Sequence, residues 1–230
     1  MKKLLFTLLF LTFGTAWGGA FEDGLAAANR KDYATAIKLW RPLAEQGDAN
    51  LQIGIGLMYK EGLGVIQDYK EAVKWFRLAA EQGRVDAQFN LGFMYAKGQG
   101  VLQDYKEAVK WYRLAAEQGN AGAQVNLALM YDKGQGVLQD YKEAVKWYRL
   151  AAEQGDTQAQ ANLGAMYSNG QGVLQDYVRA HMWYNLASAA GDSEYGTTNR
   201  DKVAKKMTPQ QIEKAQEMAR ACQARNFKGC

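Results

Sequence analysis

The chain has 230 residues, of which 48% are hydrophobic and 23% charged, and its formal net charge is +4 at pH 7. This composition is typical of a folded globular protein and excludes low-complexity disorder, collagen and a polytopic membrane protein. One histidine and two cysteines are too few to form a zinc centre. The net charge is too small to indicate nucleic acid as a partner. We therefore expect no metal site and no nucleic acid partner.

The first twenty residues have the pattern of a secretory signal. Lys2 and Lys3 precede an apolar run over residues 4–13, and small residues follow up to Ala20. The apolar run is too short to span a bilayer, which takes about 20 residues. Cleavage after Ala20 and cleavage after Ala16 both fit the pattern. We expect an exported protein, periplasmic or secreted, with no stable membrane insertion after cleavage.

The rest of the chain consists of a 36-residue repeat. The block Gly100–Gly119 recurs unchanged at Gly136–Gly155, and Gly64–Gly83 differs from it only at Ile66 and Phe76. A period of this length indicates a solenoid, in which each unit buries its apolar face against its neighbours. We predict a signal at 1–20, a solenoid at 21–207 and a C-terminal capping helix at 208–230. The solenoid units lie near residues 28–63, 64–99, 100–135, 136–171 and 172–207.

Each unit is predicted to form two helices, an outer one followed by an inner one. Asp68 stands at an N-cap position with Glu71 three residues on, which is the capping-box pattern. The outer helix that follows stops at Gly83, because glycine is favoured just beyond a helix C-terminus. The inner helix is predicted from about Val85 to Lys97.

The outer helices carry aromatic side chains at helical spacing on one apolar face. We therefore predict that Trp75 and its counterparts Trp111, Trp147 and Trp183 belong to the core rather than to a sugar-binding surface. His181 replaces the valine of the other units and is predicted at the edge of the core.

The repeat carries a specific set of residues that resembles the Sel1-like repeat, a relative of the tetratricopeptide repeat. The residues that carry the resemblance are Ala79-Ala80-Glu81-Gln82-Gly83, Ala87-Gln88, Asn90-Leu91-Gly92, Met94-Tyr95, Gly98, Gly100-Val101, Asp104-Tyr105, Ala108 and Trp111. The resemblance covers about residues 24–207 and implies an all-α, right-handed solenoid of about five units that binds other proteins. It implies no cofactor and usually no catalysis. The tail from Met207 to Arg220 resembles the closing helix of many exported bacterial members.

The inner helices differ from one another much more than the outer helices do. Between Arg84–Gln99 and Asn120–Gln135, seven of sixteen positions differ. On a helical wheel the variable positions form one stripe, and tetratricopeptide-like proteins line a concave groove with the matching stripe. The stripe contains Ile53, Leu57, Phe89, Phe93, Val125, Leu129, Ala161 and Ala165. Its polar edges are Asn50, Lys60, Asp86, Lys97, Asp132, Lys133, Ser168 and Asn169.

An apolar groove with polar edges favours the binding of an extended or helical peptide. We therefore expect a protein or peptide partner, and we expect the protein itself to be a monomer. Two alternatives remain open: the stripe varies only because it is exposed, or the superhelix buries these side chains against each other. Asn90, Asn126 and Asn162 are predicted either to hydrogen-bond a bound peptide backbone or to bond between helices.

Positive charge on the outer helices does not indicate a polyanion partner. Lys70, Lys74 and Arg77 recur in the next two units, but acidic residues alternate with them. Residues 21–195 carry 18 basic and 21 acidic groups, so this part of the chain has no cationic field for nucleic acid or membrane.

The two cysteines, Cys222 and Cys230, lie near the C-terminus. In an exported protein this spacing favours a disulfide, with two free thiols as the alternative. Cysteine-rich Sel1-like relatives are described as β-lactamase-like or penicillin-binding, but they carry a cysteine pair in each unit, which this chain lacks. It also lacks the serine and lysine motifs of that chemistry. We expect a non-enzymatic protein with no catalytic residue, and keep β-lactamase-like or penicillin-binding activity as the alternative.

Overall fold

The computed structural model describes residues 19–189 and 194–230, and all regular elements in these ranges are α-helices. The all-α prediction is therefore confirmed, and no helix of the described ranges has the length and apolar character needed to cross a membrane. The predicted signal lies outside the described residues, apart from its last two, which are helical. The helices are α1 (residues 19–29), α2 (Tyr33–Glu45), α3 (Ala49–Glu61), α4 (Tyr69–Glu81), α5 (Val85–Lys97), α6 (Tyr105–Glu117), α7 (Ala121–Lys133), α8 (Tyr141–Ala152), α9 (Thr157–Asn169), α10 (Tyr177–Ala189), α11 (Glu194–Ala204) and α12 (Pro209–Ala224).

The chain divides into two compact units, Met1–Asp104 and Tyr105–Cys230. In the first unit, α3 packs against α2 and α4, and α4 packs against α5. In the second unit, α7 packs against α6 and α8, and α9 packs against α8 and α10. The C-terminal helices α11 and α12 both pack on α10. In each unit the inner helices, α3 and α5 or α7 and α9, thus alternate with outer helices along the chain.

The helix ends follow the signals in the sequence, with one difference. The inner helices end at glycines in the left-handed conformation, such as Gly98 with φ of 67°, and α5 has the predicted bounds. The Asp68 carboxylate accepts hydrogen bonds from the backbone N–H of Lys70 and Glu71. The Glu71 side chain pairs with Lys74, so only the aspartate half of the predicted capping box is present.

Small residues on the inner helices make room for the large aromatic side chain of the following outer helix. A Cβ atom added at Gly56 would lie 2.8 Å from the Phe76 ring, and one added at Gly164 would lie 2.9 Å from the Tyr184 ring. Gly24 in α1 faces Trp40 in the same way. The helix α1 was not predicted, although this glycine stands at the position equivalent to Gly56.

A glutamine near the start of each inner helix is buried and hydrogen-bonded to the preceding outer helix. The Nε2 atom of Gln52 donates to the carbonyl of Ala44 at 2.9 Å, and that of Gln124 donates to Ala116 at 3.0 Å. Gln154 in turn donates to the side-chain oxygen of Gln124 at 2.8 Å. Because an unsatisfied buried amide is costly, these bonds fix how consecutive helices stack.

The predicted core residues of the outer helices are buried. The side chains of Trp75, Trp111, Trp147 and Trp183 are between 1% and 7% exposed, which confirms their assignment to the core. His181 is 3% exposed and lies in the core rather than at its edge.

Candidate functional site

The inner helices α3 and α5 of the first unit lie side by side. Near their N-termini, the Arg84 guanidinium donates to the side-chain oxygen of Asn50 at 2.7 Å. Near their C-termini, Lys60 Nζ lies 5.6 Å from the centroid of the Phe93 ring. The two contacts join the helices at both ends, so the side chains between them share one surface.

This surface is the first-unit stripe, formed by Ile53, Leu57, Phe89 and Phe93. Ile53 and Leu57 are one helical turn apart on α3, as Phe89 and Phe93 are on α5. Leu57 is 37% exposed, and the other three are half-buried. The stripe is therefore a partly solvent-accessible apolar surface, and its role as the lining of a binding groove stays a prediction.

One end of the first-unit stripe is basic. The Phe93 ring has Lys60 Nζ 5.6 Å from its centroid and Lys97 Nζ 5.9 Å from it. Lys60 also pairs with Glu61 at 3.3 Å. The edge carboxylate predicted for this unit, Asp86, is exposed in the first turn of α5. It lies about 10 Å from Phe93 along the helix axis, at 1.5 Å per residue.

The second unit differs from the prediction at two positions. Val125 is 5% exposed and Ala161 is 3% exposed, so both belong to the core rather than to an open groove. The physical reason is size: valine and alanine stand where the first unit has Ile53 and Phe89, and these shorter side chains do not extend from between the packed helices to solvent. Leu129 and Ala165, one turn further along, are half-buried.

The polar residues of the second unit are more enclosed than those of the first. The Tyr148 side chain is buried beside Asn162, and burial raises the pKa of this tyrosine. Burial also raises the pKa of Asp132, against the opposing effect of Lys133. This edge of the inner helices therefore has a carboxylate where the first unit has Lys60. Two further predicted edge residues, Ser168 and Asn169, are half-buried and exposed respectively.

The three repeated asparagines have two different partners. Asn90 and Asn126 each donate to a carbonyl one turn back in their own helix, Asp86 at 2.8 Å and Gly122 at 3.0 Å. Asn162 instead faces Tyr148 on the neighbouring helix. The inter-helix alternative therefore describes Asn162, whereas the bonds of the other two asparagines were not predicted.

The C-terminal segment folds back on α12. Cys222 and Cys230 form a disulfide, as predicted. Within the segment that it closes, Phe227 has a positive φ of 65°, and its ring lies against Gly155, where an added Cβ would be 3.3 Å away. This segment thus touches the turn that follows α8.

Within residues 19–189 and 194–230, no group of three or more His, Cys, Asp or Glu side chains is arranged to hold a metal ion. The chemistry of the first-unit stripe is that of binding: apolar contact, two ammonium groups and amide groups. That Lys60, Phe93 and Lys97 lie close together was not predicted from the sequence. The only signal in the sequence was that all three stand near the C-terminal ends of inner helices.

Comparison with known families finds five Sel1 repeats, matched at residues 17–48, 49–83, 85–120, 121–156 and 157–192. These matches pair each inner helix with the outer helix that follows it, and they include α1 in the first repeat. None of the curated proteins compared with the chain matches it.

Two solved structures of Sel1 repeat proteins are similar to the chain. A Sel1 repeat protein from Oxalobacter formigenes is 40% identical, with a TM-score of 0.71, over 76% of this chain and 72% of that protein. A protective antigen of uropathogenic Escherichia coli strains, which has an SLR fold, is 31% identical with a TM-score of 0.55. The similarity to the antigen covers 85% of this chain but spans half the length of that protein.

Proposed function

The chain belongs to the Sel1 repeat family, whose members generally act as scaffolds for protein–protein interaction, and we propose that it is a non-enzymatic scaffold. In this proposal, a peptide segment of a protein partner binds along the first-unit stripe, between α3 and α5. The partner segment is extended or helical, since a peptide in either conformation can place apolar side chains against the first-unit stripe.

The observation that carries the proposal is the partial exposure of four large apolar side chains on neighbouring helices. Leu57 is 37% exposed, whereas the leucine at position 91 on the inward side of α5 is fully buried. Apolar surface that remains accessible beside hydrogen-bonding groups is typical of a protein interaction site. Asn50 with Arg84 at one end and the two lysines at the other supply polar groups for a peptide backbone or side chains.

We further propose that the protein is exported, to the periplasm or the medium. The basic and apolar pattern of the first twenty residues supports this, and the Cys222–Cys230 disulfide is consistent with it, because disulfides persist in oxidising compartments. The proposal predicts that the protein occurs in envelope or culture-medium fractions with a shortened N-terminus. Retention of the intact N-terminus in cytoplasmic fractions would contradict it.

The binding proposal is tested by affinity capture from envelope and culture-medium extracts, with the purified protein as bait. The comparison variant is Leu57→Asp/Phe89→Asp, which places two charges in the first-unit stripe. A charge-matched control, Leu78→Asp/Leu114→Asp, alters outer-helix leucines that are 45% and 38% exposed.

We expect the wild type and the outer-helix control to retain the same protein, and the stripe variant to lose it while keeping its helical circular dichroism. Equal retention by all three baits would contradict binding at the stripe. Hydrolysis of nitrocefin by the purified protein would instead support the enzymatic alternative.

A further inference from the structure

We infer that the first-unit stripe selects a peptide in which an acidic side chain is next to an apolar one, with the carboxylate held by Lys60 and Lys97. The inference rests on the proposed function, because it names the chemistry of the partner segment for that same surface. It follows from the charges and the ring at one end of the stripe.

The geometry brings the two ammonium groups to one aromatic ring. Lys60 Nζ and Lys97 Nζ lie 5.6 and 5.9 Å from the Phe93 ring centroid, and they come from two different helices. Both distances are within the range of cation–π contact. An ammonium group thus approaches the Phe93 ring from each helix, and a carboxylate bound beside the ring meets the positive field of both, while neighbouring residues of the peptide cover the first-unit stripe.

The charge balance at this end of the stripe favours an anion. Glu61 pairs with Lys60 and offsets one positive charge. Lys97 is exposed and forms no ion pair with the residues that the structure describes. Asp86 lies about two helical turns from Phe93, at the opposite end of α5. The positive charge of Lys97 thus remains uncompensated beside the first-unit stripe.

The second unit lacks this combination. Its inner helices have Leu129 and Ala165 at the positions equivalent to Phe93, and Asp132 at a position equivalent to Lys60. The apolar side chains are smaller there, and a carboxylate takes the place of an ammonium group. The preference for an acidic ligand is accordingly assigned to the first-unit stripe alone.

The experiment is a selection of random dodecapeptides displayed on phage against the purified wild-type protein. Parallel selections use Lys60→Gln/Lys97→Gln, which removes both charges but keeps polar side chains only one bond shorter, and the stripe variant Leu57→Asp/Phe89→Asp. A control, Lys70→Gln/Lys142→Gln, removes two positive charges from the exposed outer helices instead. Thermal unfolding followed by circular dichroism verifies that each variant is folded.

We expect the wild type and the outer-helix control to enrich peptides in which Asp or Glu neighbours an aliphatic or aromatic residue. A fluorescein-labelled peptide from that pool should bind Lys60→Gln/Lys97→Gln about tenfold more weakly, since two partly exposed ion pairs are lost. Its affinity for the wild type should fall as the salt concentration rises.

Two results would overturn the inference, and they have different meanings. If peptides depend on the stripe but show no acidic preference, or keep it in Lys60→Gln/Lys97→Gln, the stripe binds peptides of another chemistry and the proposed function survives. If the wild type enriches nothing beyond what the stripe variant enriches, the proposed function itself fails, and the inference fails with it.

Discussion

Gly136 and Gly119 both have positive φ values, 73° and 92°, but only one of them touches another segment of backbone. A Cβ added at Gly136 would lie 2.3 Å from the carbonyl oxygen of Tyr105, whereas one added at Gly119 would meet nothing within 4 Å. Glycine therefore serves different needs in the turn after an outer helix, where Gly119 lies, and in the turn after an inner helix, where Gly136 lies. At Gly119 it provides only backbone freedom, and at Gly136 it also permits close contact between turn and helix.

We predict that Gly136→Ala lowers the free energy of unfolding by about 3 kcal/mol or more, because it adds a backbone clash to the cost of a left-handed alanine. Gly119→Ala should cost only about 1 kcal/mol, the conformational part alone. Urea denaturation of the two variants measures the difference. Equal losses would show that the contact with Tyr105 has no energetic weight.

His181 gives the second unit a pH dependence. Burial lowers the pKa of its imidazole below the ordinary 6.5, assisted by Arg200 and opposed by Asp201. The unfolded chain therefore takes up a proton at a higher pH than the folded protein does. The stability that depends on neutral His181 is present above pH 6.5 and is lost as the pH falls through the lowered pKa.

We predict that His181→Val, which introduces the residue found at 73, 109 and 145, removes this dependence. As the pH is lowered below 6.5, the free energy of unfolding of the wild type should fall relative to the variant by at most about 1.4 kcal/mol per pH unit. Denaturation curves at several pH values provide the measurement. Parallel pH profiles for the two proteins would contradict the assignment.

At the scale of the helices, a single disulfide bond holds the C-terminal segment, residues 225–230, against the end of α12. The Cys222–Cys230 disulfide closes the chain after α12, and Phe227 within it lies against Gly155. We predict that Cys222→Ala/Cys230→Ala destabilises this segment by roughly 2–3 kcal/mol, the usual effect of opening a short loop. Amide hydrogen exchange should become faster in residues 223–230 and near Gly155.

Amide hydrogen exchange in α4 serves as the internal control, because α4 belongs to the other compact unit. If the cysteine variant shows the same amide exchange rates as the wild type after residue 223, packing holds the C-terminal segment without the disulfide. Faster exchange throughout α4 as well would show that the bond contributes to global rather than local stability.

Most helices were predictable because the signals are local. The N-cap aspartates and the glycine at 98 depend only on neighbouring residues, so the bounds of α5 were predicted correctly. Burial of Val125 and Ala161 was not predictable in this way, since it depends on how one helix packs against another rather than on signals within one helix. The approach of Lys60 to Phe93 has the same origin: a helical wheel shows the face of one helix but not the register between two.

At the scale of the whole chain, the repeat itself is the unit of folding. Residues 136–155 repeat residues 100–119 without change, so a chain lacking 100–135 continues from the residue at 99 into the same outer-helix sequence. We predict that the protein lacking residues 100–135 still folds, but with a lower free energy of unfolding, because its solenoid has lost one repeat and one interface between neighbouring repeats. Deletion of 100–117 removes α6 alone and should abolish cooperative unfolding. Thermal unfolding by circular dichroism compares the two, and equal behaviour would contradict the repeat as the folding unit.

The central claim is that the first-unit stripe, and not the outer surface, contacts the partner. It is tested most directly by a photo-reactive benzoylphenylalanine placed at Leu57 on α3 or at Leu78 on α4, in cells that make the protein. The two leucines belong to the same unit and are 37% and 45% exposed, so they differ mainly in the face they occupy.

We predict that irradiation yields one discrete adduct from position 57, which is lost when Phe89→Asp is added, and none from position 78. Adducts of the same partner from position 78 alone, or equally from both positions, would contradict the account.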